Sequence, residues 1–178
     1  MPGVESSSPP VTLRITMRTG TEGWIVGYLS IPNMKQTLSI LAEKLNASDI
    51  RWALTGSMNL ALQGLSVHPK RIGIVTMHEN RDTLSELFRG YPIIELFRLE
   101  NDEAEEIRYR VNSIELLICL EFEHGFYRQF LDPNHSLVQI KINTHDIPCL
   151  RLEDELRAYE HIGKPEKAEM IRTFLASE

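Results

Sequence analysis

The sequence contains few cysteines. Only Cys119 and Cys149 are present, and they lie far apart in the chain. Two distant thiols exclude the dense disulfide framework of a small secreted domain and the clustered ligands of a zinc site. Because Cys119 lies inside an apolar run, we expect both thiols to be reduced and buried.

Long apolar runs and an excess of positive charge are also missing. No stretch approaches the ~18 apolar residues of a membrane span. The opening MPGVESSSPP lacks the basic and apolar regions of a signal peptide, so we expect a cytoplasmic protein without membrane contact. The net charge of −6 argues against non-specific nucleic-acid binding, which needs clustered lysine and arginine. A small anionic ligand at a local site remains compatible with this charge.

The apolar residues that are present suffice for one core. The chain has 178 residues, 42% hydrophobic and 25% charged, which favours a single domain with an appendage. Residues 1–10 are rich in serine and proline and predict a flexible tail. Residues 11–32 form the appendage, and residues 33–178 form the main domain.

The appendage has the pattern of an N-terminal β-hairpin. Val11, Leu13, Ile15 and Met17 alternate with polar residues, and a TGTEG turn then leads to WIVGYL at residues 24–29. An isolated hairpin is only marginally stable in water, so it must pack on the domain, extend its sheet or pair with another copy. We favour sheet extension, and a homo-oligomer contact is the alternative.

The main domain mixes helical and strand patterns. Leu38, Leu41, Ala42 and Leu45 recur at helical spacing and predict an amphipathic helix. The predicted helices cover residues 35–46, 80–89, 152–162 and 166–176, and a further helix follows the Gly56-Ser57 turn and ends at Gly64. The predicted strands cover residues 51–54, 71–76, 93–99, 106–111, 114–120 and 137–142.

Several features of these elements follow from composition. The acidic run at residues 100–106 predicts a solvated turn, because like charges repel one another. The nearly unbroken apolar run at residues 114–120 predicts a central strand that is buried on both faces. Gly163 ends one C-terminal helix and Pro165 opens the next. The predicted core contains Ile72, Ile74, Leu116 and Ile118.

Two segments carry a family resemblance. The first is TGSMNLALQG at residues 55–64 with the strand RIGIVT after it, and the second is the C-terminal LEDELRAYEHIGKPEKAEMIRTFL. Together they resemble the minimal nucleotidyltransferases, small bacterial and archaeal proteins. The resemblance implies an α+β fold, a nucleotidyltransferase-like mixed β-sheet with packed helices and a C-terminal helix pair. The N-terminal hairpin is not part of the family pattern.

The catalytic carboxylates of that family are missing. Its second strand ends in Asp-x-Asp, and a third carboxylate from a neighbouring strand completes a two-metal site. The matching residues here are Arg71 and Gly73, and the third position falls at Leu117. Glycine and leucine cannot hold a metal, and the Arg71 guanidinium repels a dication. We therefore predict no catalytic residues, no bound Mg²⁺ and no required cofactor.

Parts of a phosphate site remain. In active relatives the glycine of the pair matching Gly56 and Ser57 lets the backbone approach a nucleotide triphosphate, and the serine binds its phosphates. Here Ser57 could instead be retained only as a helix N-cap. Arg71, with Lys70 beside it, could bind a phosphate directly, or both could be solvated residues at a strand end.

The C-terminal helices add two further cations. The alternation of basic and acidic residues on the last helix favours a solvated, mixed-charge face over an anion site, but Lys164 and Lys167 match basic positions on the site side of relatives. ATP or GTP is the ligand that the resemblance allows. The candidate nucleotide-binding residues are Gly56, Ser57, Lys70, Arg71, Lys164 and Lys167.

Other catalytic patterns are weak. The six histidines include no HExxH motif, and no GxSxG nucleophile elbow occurs. His145 and Asp146 are the only adjacent histidine and acid, and a loop position explains the pair better than catalysis does.

Three functions remain open. The leading hypothesis is a catalytically degenerate nucleotidyltransferase-fold protein that acts as a nucleotide-binding or protein-interaction module, such as a nucleotide sensor or a partner in a toxin-antitoxin-like pair. The second is an active metal-dependent nucleotidyltransferase with relocated carboxylates, for example Glu115 or Glu121. The third is a structural protein that oligomerises through its hairpin.

Overall fold

A computed structural model describes residues 31–178. The flexible tail predicted at residues 1–10 and almost all of the hairpin predicted at residues 11–32 lie outside this range. None of the described helices is both long enough and apolar enough to cross a bilayer.

Five α-helices and seven β-strands make up the described chain, and an α+β fold is confirmed. The helices are α1 (Ile31–Asn46), α2 (Gly56–Leu62), α3 (Arg81–Leu87), α4 (Leu152–His161) and α5 (Pro165–Ala176). The strands are β1 (Trp52–Thr55), β2 (Ile72–Met77), β3 (Ile93–Arg98), β4 (Ala104–Val111), β5 (Ile114–Glu121), β6 (Val138–Ile142) and β7 (His145–Cys149). Short 3₁₀ helices cover His78–Asn80 and Phe126–Leu131.

All seven strands form one mixed sheet in the order β3-β4-β5-β2-β1-β7-β6. The pairs β2/β5 and β1/β7 are parallel, and the other neighbours are antiparallel. Strand β2 therefore lies between β1 and β5, in the middle of the sheet. This arrangement brings the two ends of the predicted site, residues near 56 and residues near 117, close together across the sheet.

One face of the sheet carries the main hydrophobic core. The predicted core residues Ile72, Ile74, Leu116 and Ile118 are fully buried there, so that prediction is confirmed. The apolar side of α1 packs on them through Leu38, Leu41, Ala42 and Leu45. Because side chains alternate along a strand, the intervening residues of β2 and β5 point to the opposite face.

A second cluster joins the C-terminal helix pair to α2. Leu60 of α2 packs with Leu152 and Tyr159 of α4 and with Ala168 and Ile171 of α5. Gly163 has φ +69 and lies directly between the two helices, as the glycine there predicts. The pair therefore stands beside the start of α2, where the candidate site lies.

Three sequence predictions need correction. Ala104 and Glu105 belong to β4 rather than to a solvated turn, because they pair with β5. Strand β5 is central but not buried on both faces, since Leu117 and Cys119 are only half-buried. Cys149 is buried as expected, whereas Cys119 is partly exposed, and both are free thiols.

Strand β7 was not predicted. His145 and Asp146, expected in a loop, open this strand and pair with Ile142 and Lys141 of β6. Proline and aspartate are both rare in strands, so Asp146 and Pro148 gave this segment no recognisable strand pattern. Pro148 is tolerated because β7 pairs with β1 only at Cys149 and Leu54, so its missing amide hydrogen disrupts no β1 bond.

Candidate functional site: a cationic cleft over the sheet

A cleft of about 530 Å³ opens on the sheet face opposite α1. Strands β2, β5 and β4 form its floor, the start of α2 forms one wall, and the junction of α4 and α5 forms the other. A volume in this range suits a mononucleotide-sized ligand. All six candidate binding residues predicted from the sequence, and the three positions of the missing carboxylates, line this one cleft.

The floor of the cleft is set by the register of β2 and β5. Gly73 and Leu117 are direct partners in this parallel pair. Arg71 lies two residues before Gly73 on the same face, and its Nη1 donates to Glu115 Oε1 at 3.0 Å. The three positions that would hold metal in the family therefore converge, but they present a guanidinium, a hydrogen and an isobutyl group.

These residues do not fit a divalent metal. Leucine and glycine carry no ligand atom, and a guanidinium is a fixed cation. Within residues 31–178, no three His, Cys, Asp or Glu side chains are grouped so that they could hold a metal ion. The backbone is also close at Gly73, since a Cβ there would lie 3.2 Å from the carbonyl oxygen of Thr55.

Each carboxylate lining the cleft already has a protein partner. Glu121 Oε2 accepts the Tyr127 amide at 3.0 Å, and Glu121 Oε1 accepts the Cys119 thiol at 3.2 Å. Glu103 bonds His161 at 2.8 Å, and Glu106 lies 3.9 Å from Arg108. Burial raises the pKa of Glu121 to about 7 and also raises the pKa of the Cys119 thiol. The thiol is therefore a poor nucleophile.

A buried carboxylate of the chain, Glu155, bonds the turn at the start of α2, and the sequence analysis did not predict it. Gly56 has φ +76, which glycine adopts readily, and its amide donates to Glu155 Oε1 at 2.8 Å. Asn59 Nδ2 donates to the same oxygen at 2.7 Å. Glu155 is fully buried, and burial raises its pKa to about 7. A carboxylate from α4 thus already bonds the first amide of α2.

Ser57 is not the N-cap of α2. Thr55 holds that position, with extended backbone, and makes no side-chain capping bond. Ser57 lies in the first turn of the helix and lines the cleft. Burial raises the pKa of the neighbouring Tyr159 phenol, and a hydrogen bond with Ser57 opposes part of this rise. The capping interpretation of Ser57 is therefore wrong.

Three lysines of the cleft have no partner of opposite charge among the described residues. Lys70, Lys164 and Lys167 line the cleft, and within residues 31–178 none of the three forms an ion pair. Burial raises the pKa of Glu106, and the charge of Lys164 opposes this rise, so Lys164 acts electrostatically across to β4. By contrast, Arg172 of α5 bonds Glu160 and Glu169 outside the cleft.

Arg108 is a further cation that the sequence analysis did not select. It projects from β4 opposite Leu117 and bonds Glu95 at 2.7 Å. Its guanidinium also lies over the Phe97 ring at 5.2 Å. Period-two alternation in β4 would have placed it on the same face as Glu106. His145 and Asp146, in contrast, do not line the cleft.

No protein-family model matches the sequence. No curated protein matches it either.

Solved structures do match. A candidate nucleotidyltransferase from Thermotoga maritima is 21% identical, with a TM-score of 0.62, over 83% of this chain and 95% of that chain. ANT(2″)-Ia in complex with adenylyl-2″-tobramycin is 10% identical, with a TM-score of 0.57, over 80% and 89%. The lincosamide antibiotic adenylyltransferase LnuA with bound lincomycin is 11% identical, with a TM-score of 0.50, over 77% and 95%. The chain has the nucleotidyltransferase fold.

Proposed function

We propose that this chain is a catalytically degenerate nucleotidyltransferase-fold protein whose cleft binds a nucleotide without a divalent metal. One observation carries the proposal: three lysines without ion pairs among the described residues stand over a floor made of Arg71, Gly73 and Leu117. The lysines supply attraction for phosphate, while the floor supplies no ligand for the metal that transfer chemistry needs.

The balance of charge in the cleft supports anion binding. Five cationic side chains line it, Lys70, Arg71, Arg108, Lys164 and Lys167, against three carboxylates, Glu103, Glu106 and Glu121. Burial raises the pKa of Glu121 to about 7, which weakens the negative charge of this carboxylate near neutral pH. A concave site with an excess of positive charge focuses the electrostatic potential and attracts anions, although the whole chain is acidic.

The lysines of the cleft are better phosphate ligands than the Gly56 turn. The Gly56 amide is already bonded to Glu155, and a phosphate there would meet that carboxylate when it is ionised. Lys164 and Lys167 stand on the other wall, at the start of α5. We therefore assign the phosphates to Lys70, Lys164 and Lys167, and we assign to Gly56 and Ser57 only contact with the rest of the ligand.

Nucleotides are the ligand class to test first. One structural neighbour was solved with an adenylylated antibiotic, and another is an antibiotic adenylyltransferase. Those proteins share the fold with this chain at low identity, so the ligand class is carried over as part of the proposal. A cytoplasmic location, predicted from the sequence, would expose the cleft to ATP and GTP.

The alternative of an active enzyme with relocated carboxylates has less support. Glu115 is paired with Arg71, and both oxygens of Glu121 accept hydrogen bonds. A metal-binding role would require each carboxylate to give up these partners. The protein-interaction and oligomerisation alternatives depend on residues 11–29, outside the described chain, and solution mass would test them.

Calorimetry with ATP and GTP, in excess Mg²⁺ and in excess chelator, tests the proposal. We expect millimolar or tighter binding that does not require Mg²⁺. The variant Lys164→Gln with Lys167→Gln should weaken binding by at least about tenfold, since a single charged hydrogen bond contributes about 1.5–3 kcal/mol. Arg172→Gln is the matched control, because it removes a cation from the same helix outside the cleft. Mg²⁺-dependent nucleotidyl transfer, or no binding at millimolar nucleotide, would contradict the proposal.

A further inference from the structure

Glu106 is a carboxylate of the cleft with unused hydrogen-bonding capacity. Its side chain lines the cleft and is 17% exposed. The nearest cation within residues 31–178 is Arg108, whose Nη2 lies 3.9 Å from Glu106 Oε2, too far for a hydrogen bond. Arg108 Nη1 donates to Glu95 at 2.7 Å instead. No hydrogen bond from the described residues reaches either oxygen of Glu106, so both can accept from a ligand.

The charges around Glu106 favour its ionised form. Burial raises the pKa of this carboxyl, and the positive charges of Arg108, Arg71 and Lys164 oppose the rise. Nearby positive charges stabilise an ionised carboxylate, the form that accepts hydrogen bonds at both oxygens. Because the charge of Lys164 reaches Glu106, a nucleotide whose phosphates bind Lys164 brings its remaining atoms within reach of this carboxylate.

Apolar side chains lie near Glu106 in the same cleft. On the floor, Leu117 is the strand partner of Arg108, which follows Glu106 by two residues on the same face. On the wall, Ile162 precedes Lys164 by two residues, lines the cleft and is 44% exposed. A purine has apolar faces that cover such side chains and a polar edge that meets a carboxylate, whereas ribose offers hydroxyls and little apolar surface. The combination therefore favours a base beside Glu106.

We propose that Glu106 makes this cleft select guanine nucleotides over adenine nucleotides, an inference that rests on the proposed binding of nucleotides. Guanine carries two adjacent donors, the N1–H and the N2 amine, and a carboxylate accepts two parallel N–H bonds, as it does from arginine. Adenine offers only its N6 amine on the same edge, and the acceptor N1 beside that amine repels a carboxylate oxygen. A buried acceptor left without its donor disfavours the wrong base.

Calorimetry of the full chain with GTP, ITP and ATP in excess chelator tests the selection. The three ligands share their sugar and phosphates, and the base of ITP keeps the N1–H but lacks the N2 amine. We expect GTP to bind at least about tenfold more tightly than ATP, with ITP between them. Glu106→Gln replaces two acceptors by one acceptor and one donor, which either purine can meet, so the GTP and ATP affinities should come within about twofold of each other.

A ligand without a base and a matched variant are the controls. Inorganic tripolyphosphate should bind Glu106→Gln at least as tightly as it binds the parent, because the variant has lost a negative charge. Glu100→Gln removes the same charge from an exposed side chain that does not line the cleft, and it should keep the preference for GTP.

Each other outcome overturns the proposal. Equal affinities for GTP and ATP in the parent would remove the selection of guanine and leave nucleotide binding in place. No binding of any of the three at millimolar concentration would overturn the proposed function as well. An equal loss of GTP and ATP affinity in Glu106→Gln would place Glu106 at the sugar or the phosphates. Weaker binding of tripolyphosphate to this variant would mean that Glu106 supports the structure of the cleft instead.

Discussion

Arg71 and Glu115 form an ion pair at the edge of the cleft floor, with Arg71 Nη1 3.0 Å from Glu115 Oε1. Each side chain is partly exposed, Arg71 by 43% and Glu115 by 32%. Arg71 and Glu115 each lie two residues before Gly73 and Leu117, which are direct partners in the sheet. In place of carboxylates that would share a metal, the two strands hold a cation and an anion that neutralise each other.

Glu115→Gln should strengthen binding of an anionic ligand. The substitution removes the charge that balances Arg71 and leaves the guanidinium available to a phosphate. An exposed ion pair is worth about 0.2–1 kcal/mol, so we expect an affinity gain of up to about fivefold. Calorimetry with ATP in excess chelator measures the gain.

Glu86→Gln serves as the control for this experiment. Glu86 also pairs with an exposed arginine, Arg89, and neither of these two residues lines the cleft. Its substitution should leave the affinity unchanged. If Glu115 were a relocated metal ligand, Glu115→Gln would instead lower Mg²⁺-dependent binding or activity, and the sign of the change separates the two functions.

The sheet was largely predictable because its central strands have clear local patterns. An apolar run identified β5, and the family resemblance matched Arg71, Gly73 and Leu117 to positions that the β2/β5 register brings together. Strand β7 escaped because Asp146 and Pro148 are poor strand residues, and only its pairing with β6 makes it a strand. The tertiary partner overrides the local preference there.

The site was predictable only in part. Lys164 and Lys167 were selected through the family resemblance, since their helix alone has a mixed-charge pattern. Glu155 was missed because an acidic residue in the first turn of a helix has an ordinary explanation in the helix dipole. Its partner Gly56 lies 99 residues away in the sequence, and no local pattern connects them.

Gly73→Ala should lower the free energy of unfolding. The added Cβ would lie 3.2 Å from the Thr55 carbonyl oxygen, so strands β1 and β2 must move slightly apart. Crowding of this kind costs about 1–3 kcal/mol, and reduced freedom of the unfolded chain offsets about 0.4–1 kcal/mol of that. Denaturant unfolding measures the net loss. Unchanged stability would mean that the two strands separate easily at this point.

Restoring the missing carboxylates tests whether their loss is the whole reason for inactivity. Arg71→Asp with Gly73→Asp and Leu117→Glu places three carboxylates on adjacent strands ~4.8 Å apart, which should create a divalent-metal site. Without metal, we expect the triple variant to be less stable than the parent. Its carboxylates repel one another, and the side chain introduced by Gly73→Asp is crowded by the Thr55 carbonyl.

Thermal unfolding with and without Mg²⁺ measures the restored site. Metal should raise the Tm of the triple variant and leave the parent unchanged, because a ligand stabilises only the state that binds it. The double variant without Gly73→Asp is the control and should respond less. If the triple variant folded but its Tm did not change with metal, the chain would resemble active nucleotidyltransferases in fold but not in site geometry.

Glu155 makes the stability of this fold depend on pH. Burial raises its pKa from the ordinary 4.5 to about 7 in the folded chain, against opposing hydrogen bonds from Asn59 and the Gly56 amide. The folded state therefore binds this proton more tightly than the unfolded state does. The contribution to the free energy of unfolding is complete below pH 4.5 and is lost as pH rises through about 7.

Glu155→Gln should remove this dependence. The amide oxygen can still accept from Gly56 and Asn59, while no charge develops in the buried site at high pH. Relative to the parent, the variant should therefore gain stability between pH 4.5 and 8, by about 3 kcal/mol at most. Urea unfolding across this range measures the difference. Glu153→Gln, an exposed acid on the same helix, is the control and should run parallel to the parent. If the stability of Glu155→Gln changed with pH as that of the parent does, the Glu155 carboxylate would be ionised in the folded state without an energetic cost. The carboxylate would then repel a phosphate from the Gly56 turn at every pH in this range.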